Sequence, residues 1–263
     1  MFRTNPLKAK LRRGEPTLAA WSTWSHAPSV ELMAMAGFDG MIIDHEHGLG
    51  GLAPTMGCLQ ALGAYACAGL VRIPSADPVY VKQVLDIGVE GIVVPSVDDV
   101  DTARAMVAAC RYPPDGMRGA AYGMARAADY GLVGNAYRDG FADELLVILQ
   151  IETAAGVLAI PEIAAVDGVD MLFVGPFDLS GSLGKLGQFD DPEVRDTIRK
   201  AETAIAESPV WLGALPSLGR TAAQMVADGV EFVAHRSDGT LLRDAALADV
   251  TDFRAAVSQP QGQ

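Results

Sequence analysis

The chain has 263 residues, half of them apolar and 20% charged, with 28 glycines. That balance excludes a disordered or collagen-like protein and fits a globular one with ample core. The formal net charge of −13 opposes extended contact with a phosphate backbone, so no nucleic-acid partner is expected, and a small anionic substrate would need a local cation to receive it.

Eight β-rich apolar runs follow one another at 17–23, 40–46, 68–73, 91–97, 145–152, 171–177, 210–216 and 231–237. Each is followed by a segment whose apolar residues have helical spacing, clearest at 30–37, 78–88, 99–110, 155–165, 192–206, 221–229 and 240–250. Capping residues mark several starts: Asp77 before Pro78, Asp98 or Asp99 before the fourth helix, and Asp191 before Pro192.

Strands that are apolar throughout are buried on both faces, the condition of a parallel sheet. Eight β-then-α units of roughly 33 residues each predict an α/β fold, a (β/α)8 TIM barrel formed as one domain over 1–263. A doubly wound sheet would be expected to carry a Gly-rich ligand-binding turn after its first strand, and the sequence has none there. The Gly- and Arg-rich stretch at about 112–143 interrupts the rhythm and is expected to be an insertion loop at the active site or an interface.

Cys58, Cys67 and Cys110, odd in number and without CxxC spacing, read as reduced thiols of a cytoplasmic protein. The basic N-terminus lacks the apolar core of a secretory signal, and the longest apolar runs are too short to cross a bilayer, so no membrane partner is expected. The polar tail 258–263 is expected to fray.

In a (β/α)8 barrel the C-terminal ends of the strands form the active-site face. Four strand ends carry ionisable groups: Asp44, His45, Glu46 and His47 after the second, Arg72 after the third, Glu152 (with the polar Gln150) on the fifth, and Asp178 after the sixth. Two carboxylates from adjacent strands, Glu152 and Asp178, suit a hard divalent cation that keeps several waters, Mg²⁺ or Mn²⁺ with Co²⁺ as a further option. The alternative is that both merely cap the helices after them. Gln150 shares a face with Glu152 and either orients the site or serves the core.

Asp44 and His47 straddle a strand end, where the carboxylate would fix the imidazole as a base near neutral pH. His45 alternates to the other side, and His26 and His235 have weaker local support and are left unassigned. Arg72 is costly to bury without an anion, so it is the candidate to hold a carboxylate or enolate oxygen; a salt bridge to Asp44 or Glu152 is the alternative. After Pro176, the amides of Phe177 and Asp178 open a turn that can receive an anion.

The stretches AGFDGMIIDHEHG, VRIPSADPVYVKQVLDIGVEGIVVPSV, ARAMVAACRYPPDGMRG, QIETAAGV and VDGVDMLFVGPFDLS, spanning roughly 36–182, resemble the HpcH/HpaI aldolases. These are class II, metal-dependent pyruvate aldolases of the phosphoenolpyruvate/pyruvate barrel superfamily. The resemblance implies that Glu152 and Asp178 ligate the cation, that Arg72 contacts the ketone-derived oxygen, and that Asp44 and His47 form an acid/base dyad. It assigns the Phe177 and Asp178 amides to the substrate carboxylate and makes Asp86 a residue lent to a neighbouring chain's site. It also implies a homo-oligomer, a trimer or hexamer with an exchanged C-terminal helix. Three departures stand out: His45 where relatives often carry Gly, crowding the dyad; the ending HRSD of the last strand; and Trp211 near the residues that contact the acceptor.

The expected reaction is reversible, metal-dependent aldol addition of pyruvate or a related 2-oxo acid such as hydroxypyruvate to an aldehyde, with retro-aldol cleavage of 4-hydroxy-2-oxo acids. Lys82 and Lys185 fall in helix or loop, which disfavours a Schiff base. Two rivals remain: an acyl-CoA carbon–carbon lyase or 2-oxo acid decarboxylase of the same superfamily, and a non-catalytic metabolite-binding barrel.

Overall fold

Eight strands close into a barrel in chain order, every neighbouring pair parallel, in this computed structural model, which describes residues 2–258. They are β1 (Thr17–Ser22), β2 (Gly40–Asp44), β3 (Ala68–Arg72), β4 (Gly91–Val94), β5 (Leu146–Ile151), β6 (Met171–Val174), β7 (Trp211–Ala214) and β8 (Phe232–Ser237). Each lies within a run expected from the sequence, because strands buried on both faces carry little but apolar residues. Residues 259–263 of the tail lie outside the described residues.

The helices are α1 (Pro6–Arg12), α2 (Ala27–Met35), α3 (Leu52–Leu62), α4 (Pro78–Asp86), α5 (Val100–Cys110), α6 (Gly134–Glu144), α7 (Ala154–Ala164), α8 (Pro176–Ser182), α9 (Pro192–Ala206), α10 (Ala222–Ala227) and α11 (Asp238–Ser258). The Asp77 side chain accepts the Val79 amide, Asp99 that of Thr102, and Asp191 those of Glu193 and Val194. Such a cap stabilises a helix by about 1 kcal/mol. Of the two candidates before α5, Asp99 is the cap, and Asp98 accepts from the Thr153 hydroxyl.

Side chains alternate along the strands into two cores. Trp21, Ile42, Leu70, Ile148, Phe173 and Phe232 fill the barrel interior, and the opposite faces pack against the helices. Leu7 and Leu11 of α1 join the interior cluster, so this short helix plugs the N-terminal mouth. The open end is therefore the C-terminal one, where the strand-end residues gather.

The stretch expected to be one insertion loop is partly helical. Turns after the cis Pro113–Pro114 bond lead into a 3₁₀ segment at Arg126–Gly131 and then α6. Tyr137 and Phe141, one turn apart on α6, are buried and stack at 5.0 Å. Two apolar anchors among glycines and charges give too weak a period to be read from sequence.

At the other end of the chain, Asp238 accepts hydrogen bonds from Ser22 Oγ, Thr23 N and Thr23 Oγ1, which ties α11 to the end of β1. A bulge in β8, where Ala19 and Trp21 of β1 oppose Ala234 and Ser237, adds one residue near this rim.

Candidate active site

Asp44, His47, Arg72, Gln150, Glu152, Phe177 and Asp178 all line one cavity of about 440 Å³ at the C-terminal mouth. Asp44 and Arg72 end β2 and β3 in register, so their side chains meet. Arg72 Nε and Nη2 lie 2.9 and 2.6 Å from the two Asp44 carboxylate oxygens, and Nη1 lies 3.1 Å from Glu46 Oε2. The guanidinium also sits over the Trp21 ring, 4.5 Å from its centroid. Such bidentate charge-assisted pairing fixes both orientation and protonation. Burial acts to raise the Asp44 carboxyl, but the Arg72 bonds and charge, with the His47 and Glu46 amides, outweigh it and hold the group below its ordinary range.

This arrangement changes the expected dyad. The Asp44 carboxylate is taken up by Arg72 and by the backbone amides of Glu46 and His47, at 3.1 and 3.3 Å, not by the His47 ring. The alternative of an Asp44–Arg72 bridge is thus the observed one. The His47 ring is mostly exposed, and its nearest carboxylate is Glu46, with Nε2 3.9 Å from Oε2. Burial raises the Glu46 carboxyl against the lowering effect of Arg72.

Glu152 is not a helix cap; Thr153 caps α7 instead. Its Oε1 accepts from Ser96 N at 2.8 Å and Ser96 Oγ at 2.9 Å, and Oε2 accepts from Gln150 Nε2 at 2.8 Å. Ser96 follows the end of β4 with a left-handed φ of 51°, a strained position of the kind that collects at functional sites. Gly175 approaches so closely that a Cβ there would stand 2.6 Å from Glu152 Oε2. Asp178 is exposed in the first turn of α8, whose cap is Gly175. Burial raises the Glu152 carboxyl, the Ser96 bonds oppose this, and the Asp178 charge adds to the rise.

A buried carboxylate pushed upward, with a second carboxylate lining the same cavity, is a pair that a cation would relieve. Among the described residues no three His, Cys, Asp or Glu side chains cluster as a metal site. Two carboxylates lining one cavity are oxygen donors of the kind a hard divalent ion takes while keeping several waters.

Some expected residues stand elsewhere. Trp211 opens β7 at its N-terminal end, against the barrel interior, about 10 Å of strand below the rim. It cannot contact a substrate at the mouth, and Leu215, just past the other end of β7, lines the cavity instead. Asp86 ends α4 and does not line the cavity; its carboxylate accepts from Arg118 Nη2 at 2.8 Å. Arg118 is buried among Tyr112, Tyr137 and Phe141, its guanidinium carbon 4.6, 5.5 and 4.8 Å from their centroids. His45 does not crowd the cavity: Nε2 meets Thr55 Oγ1 at 2.6 Å and Nδ1 meets Tyr80 OH at 2.9 Å. His26 and His235 are both exposed and do not line the cavity.

Trp21, Thr23, Leu215 and Ser237 also line the cavity, and Ser96 and Glu46 brace its charged groups. Their signal was position: Trp21 and Thr23 share one face at the end of β1, and Leu215 and Ser237 lie at the ends of β7 and β8.

The model of the HpcH/HpaI aldolase/citrate lyase family matches residues 18–245. A hydroxypyruvate/pyruvate aldolase from Delftia acidovorans is 38% identical over 257 residues, 98% of this chain and 95% of that one. A 4-hydroxy-2-oxo-heptane-1,7-dioate aldolase from Escherichia coli is 39% identical over 251 residues, 95% of each chain. The crystal structure of a family protein from Burkholderia cenocepacia superposes with a TM-score of 0.89 at 34% identity, covering 95% of this chain and all of that one. With a matching family model over most of its length and relatives of this identity, the chain belongs to the HpcH/HpaI aldolase/citrate lyase family.

Proposed function

We propose that this cavity carries out reversible aldol addition of a 2-oxo acid, pyruvate or hydroxypyruvate, to an aldehyde, and the reverse cleavage of a 4-hydroxy-2-oxo acid. The class, a carbon–carbon lyase, is supported by aldolases that match nearly the full length of both chains. The observation that carries the chemistry is the meeting of Arg72, Glu152 and Asp178 in one cavity with His47 at its edge.

Glu152 and Asp178 would hold a divalent cation, Mg²⁺ or Mn²⁺. When bound, it supplies Lewis-acid stabilisation of the charge that develops as the C–H beside the ketone is lost. Arg72, held by Asp44 and Glu46, donates to the ketone oxygen and stabilises it as it becomes an enolate. The amides of Phe177 and Asp178, in the first turn of α8 where no carbonyl lies one turn back, receive the substrate carboxylate. His47 takes the proton from the carbon beside the ketone and returns it to the new alkoxide after the aldehyde is attacked. Asp44 acts in this scheme through Arg72, whose guanidinium it orients.

Oligomerisation completes the site. The 21-residue α11 buries only Asp238, and Leu242, Val250, Phe253 and Val257 form an exposed apolar stripe along it. Such a stripe is what a helix exchanged between the subunits of a trimer or hexamer presents, and Asp86 would then reach a neighbour's cavity. The three cysteines are free and buried, as suits the reducing cytoplasm.

Pyruvate release from a 4-hydroxy-2-oxo acid, assayed before and after dialysis against EDTA, tests the proposal. Activity lost with EDTA and restored by Mg²⁺ or Mn²⁺ supports it; turnover unchanged by EDTA removes the cation from the reaction.

A further inference from the structure

His45 stands two residues before His47 but does not line the cavity. Its side chain is buried, and both ring nitrogens are engaged by helices behind the barrel wall. Nε2 meets Thr55 Oγ1 of α3 at 2.6 Å, and Nδ1 meets Tyr80 OH of α4 at 2.9 Å. The ring also stands edge-on to that of Tyr80, with centroids 5.9 Å apart. Burial holds the imidazole below its ordinary value against the pull of the Asp44 charge, so it is neutral near pH 7. A neutral imidazole has one donor and one acceptor, and two hydroxyls, each able to act either way, satisfy both. In a buried setting such a network holds one geometry, because turning the ring strands a polar group.

The loop at 45–51 carries two groups given roles above. Glu46 braces Arg72 Nη1 at 3.1 Å. The His47 ring is mostly exposed, and Nε2 stands 3.9 Å from Glu46 Oε2, beyond hydrogen-bond reach, so its backbone sets where it stands. Of residues 45–51, His45 is buried and the others are half-buried or exposed. Its own amide bonds Arg72 O at 2.9 Å, which carries the β2–β3 ladder one residue past the end of β2. The returning arm of the loop packs on the same ring: a Cβ on Gly50 would stand 3.2 Å from His45 Cδ2. One side chain thus ties both arms of the loop to α3 and α4.

We propose that His45 is a positioning residue for His47: pegged to Thr55 and Tyr80, it fixes the loop that sets the His47 ring at the cavity edge. This rests on the 2-oxo acid reading above, in which His47 takes the proton. His45 touches no substrate and acts through the backbone alone. Loosening it slows proton removal and leaves the cation and the 2-oxo acid bound as before, since Glu152, Asp178 and the α8 amides lie on other elements. Misplacing a reacting group by about 1 Å costs up to roughly a hundredfold in rate.

Deuterium uptake by pyruvate at saturating pyruvate and Mg²⁺ gives the rate, calorimetry the pyruvate affinity, and electron paramagnetic resonance the Mn²⁺ affinity. Thr55→Val keeps the shape of the side chain and removes the hydroxyl, whereas Thr55→Ser keeps the hydroxyl and removes a methyl. Tyr80→Phe removes the second hydroxyl at a half-buried position, which keeps the test open should Thr55→Val fold poorly. Thr55→Val and Tyr80→Phe should each slow exchange by roughly tenfold while both affinities stay within about threefold of wild type. Thr55→Ser should exchange within about threefold of wild type. A role in packing alone reverses the order of the two Thr55 variants, because Thr55 is fully buried and Ser leaves a void. Wild-type rates in Thr55→Val or Tyr80→Phe, a Thr55→Ser slower than Thr55→Val, or affinities that fall in step with the rate would each overturn the inference. No exchange in the wild type, or undiminished exchange in His47→Ala, removes the reading beneath it and the inference as well.

Discussion

The Arg72 guanidinium grips the Asp44 carboxylate through two hydrogen bonds, of 2.9 and 2.6 Å, across the ends of adjacent strands. Asp44 is almost fully buried and Arg72 nearly so. Breaking one side of such a pair leaves a stranded charge, which costs about 3 kcal/mol or more. Asp44→Asn should therefore lower stability at pH 7 by about 3 kcal/mol and reduce kcat/KM by roughly a hundredfold or more through a misplaced Arg72. Denaturant unfolding and steady-state kinetics check both; a variant within threefold of wild type in kcat/KM would detach Asp44 from catalysis.

The same pair sets an acid limb. The folded Asp44 carboxyl lies below its ordinary value, so as pH falls the unfolded chain takes up this proton first. The contribution to stability is complete above the ordinary carboxylate value near 4 and is lost as pH falls through the folded value. Asp44→Asn cannot titrate, so its melting temperature should fall less steeply than wild type below about pH 4. Parallel acid limbs would show that another carboxyl governs the decline.

Gly175 in the cavity wall and Ser96 behind it both set the position of Glu152. Ser96→Ala deletes the Oγ bond at 2.9 Å and should weaken Mn²⁺ binding by about tenfold, the usual scale for a residue that orients a ligand. Gly175→Ala puts a Cβ 2.6 Å from Glu152 Oε2 and should destabilise the fold by about 1–3 kcal/mol while abolishing Mn²⁺ binding. Electron paramagnetic resonance of free Mn²⁺ reads both variants; wild-type affinity in Gly175→Ala would mean that Glu152 does not hold the ion.

The exposed stripe on α11 gives a prediction about assembly. Phe253→Asp together with Val250→Asp should convert the proposed trimer or hexamer to a monomer with little change in circular dichroism, since both side chains are exposed within one chain. Light scattering after gel filtration checks the mass. An assembly of unchanged mass would show that α11 faces solvent.

Much of this molecule was legible in its sequence because burial on both faces of a strand leaves a plain apolar signature. All eight strands and the rim positions of Asp44, Arg72, Glu152 and Asp178 follow from that one regularity. Asp44 could not be matched with its partner in the same way. A carboxylate beside both His47 and Arg72 chooses between them by strand register, which places Asp44 directly opposite Arg72. Trp211 opens β7, and the direction of a barrel strand puts its first residue at the end away from the cavity. Ser96, Thr23 and Ser237 are small polar residues with no periodic signal, and only the closed barrel shows what they face. The helix α6 hides behind two glycines and several charges, its identity resting on the burial of Tyr137 and Phe141.

On the proposed mechanism, a 2-oxo acid loses a proton in this cavity only when Glu152 and Asp178 hold a divalent cation. Deuterium uptake at the methyl group of pyruvate, followed by NMR in D₂O without any aldehyde, measures that step alone. The expected result is exchange with Mg²⁺ or Mn²⁺ that stops with EDTA and in Glu152→Gln and Asp178→Asn. Exchange that persists in EDTA, or in either folded variant at the wild-type rate, would contradict it.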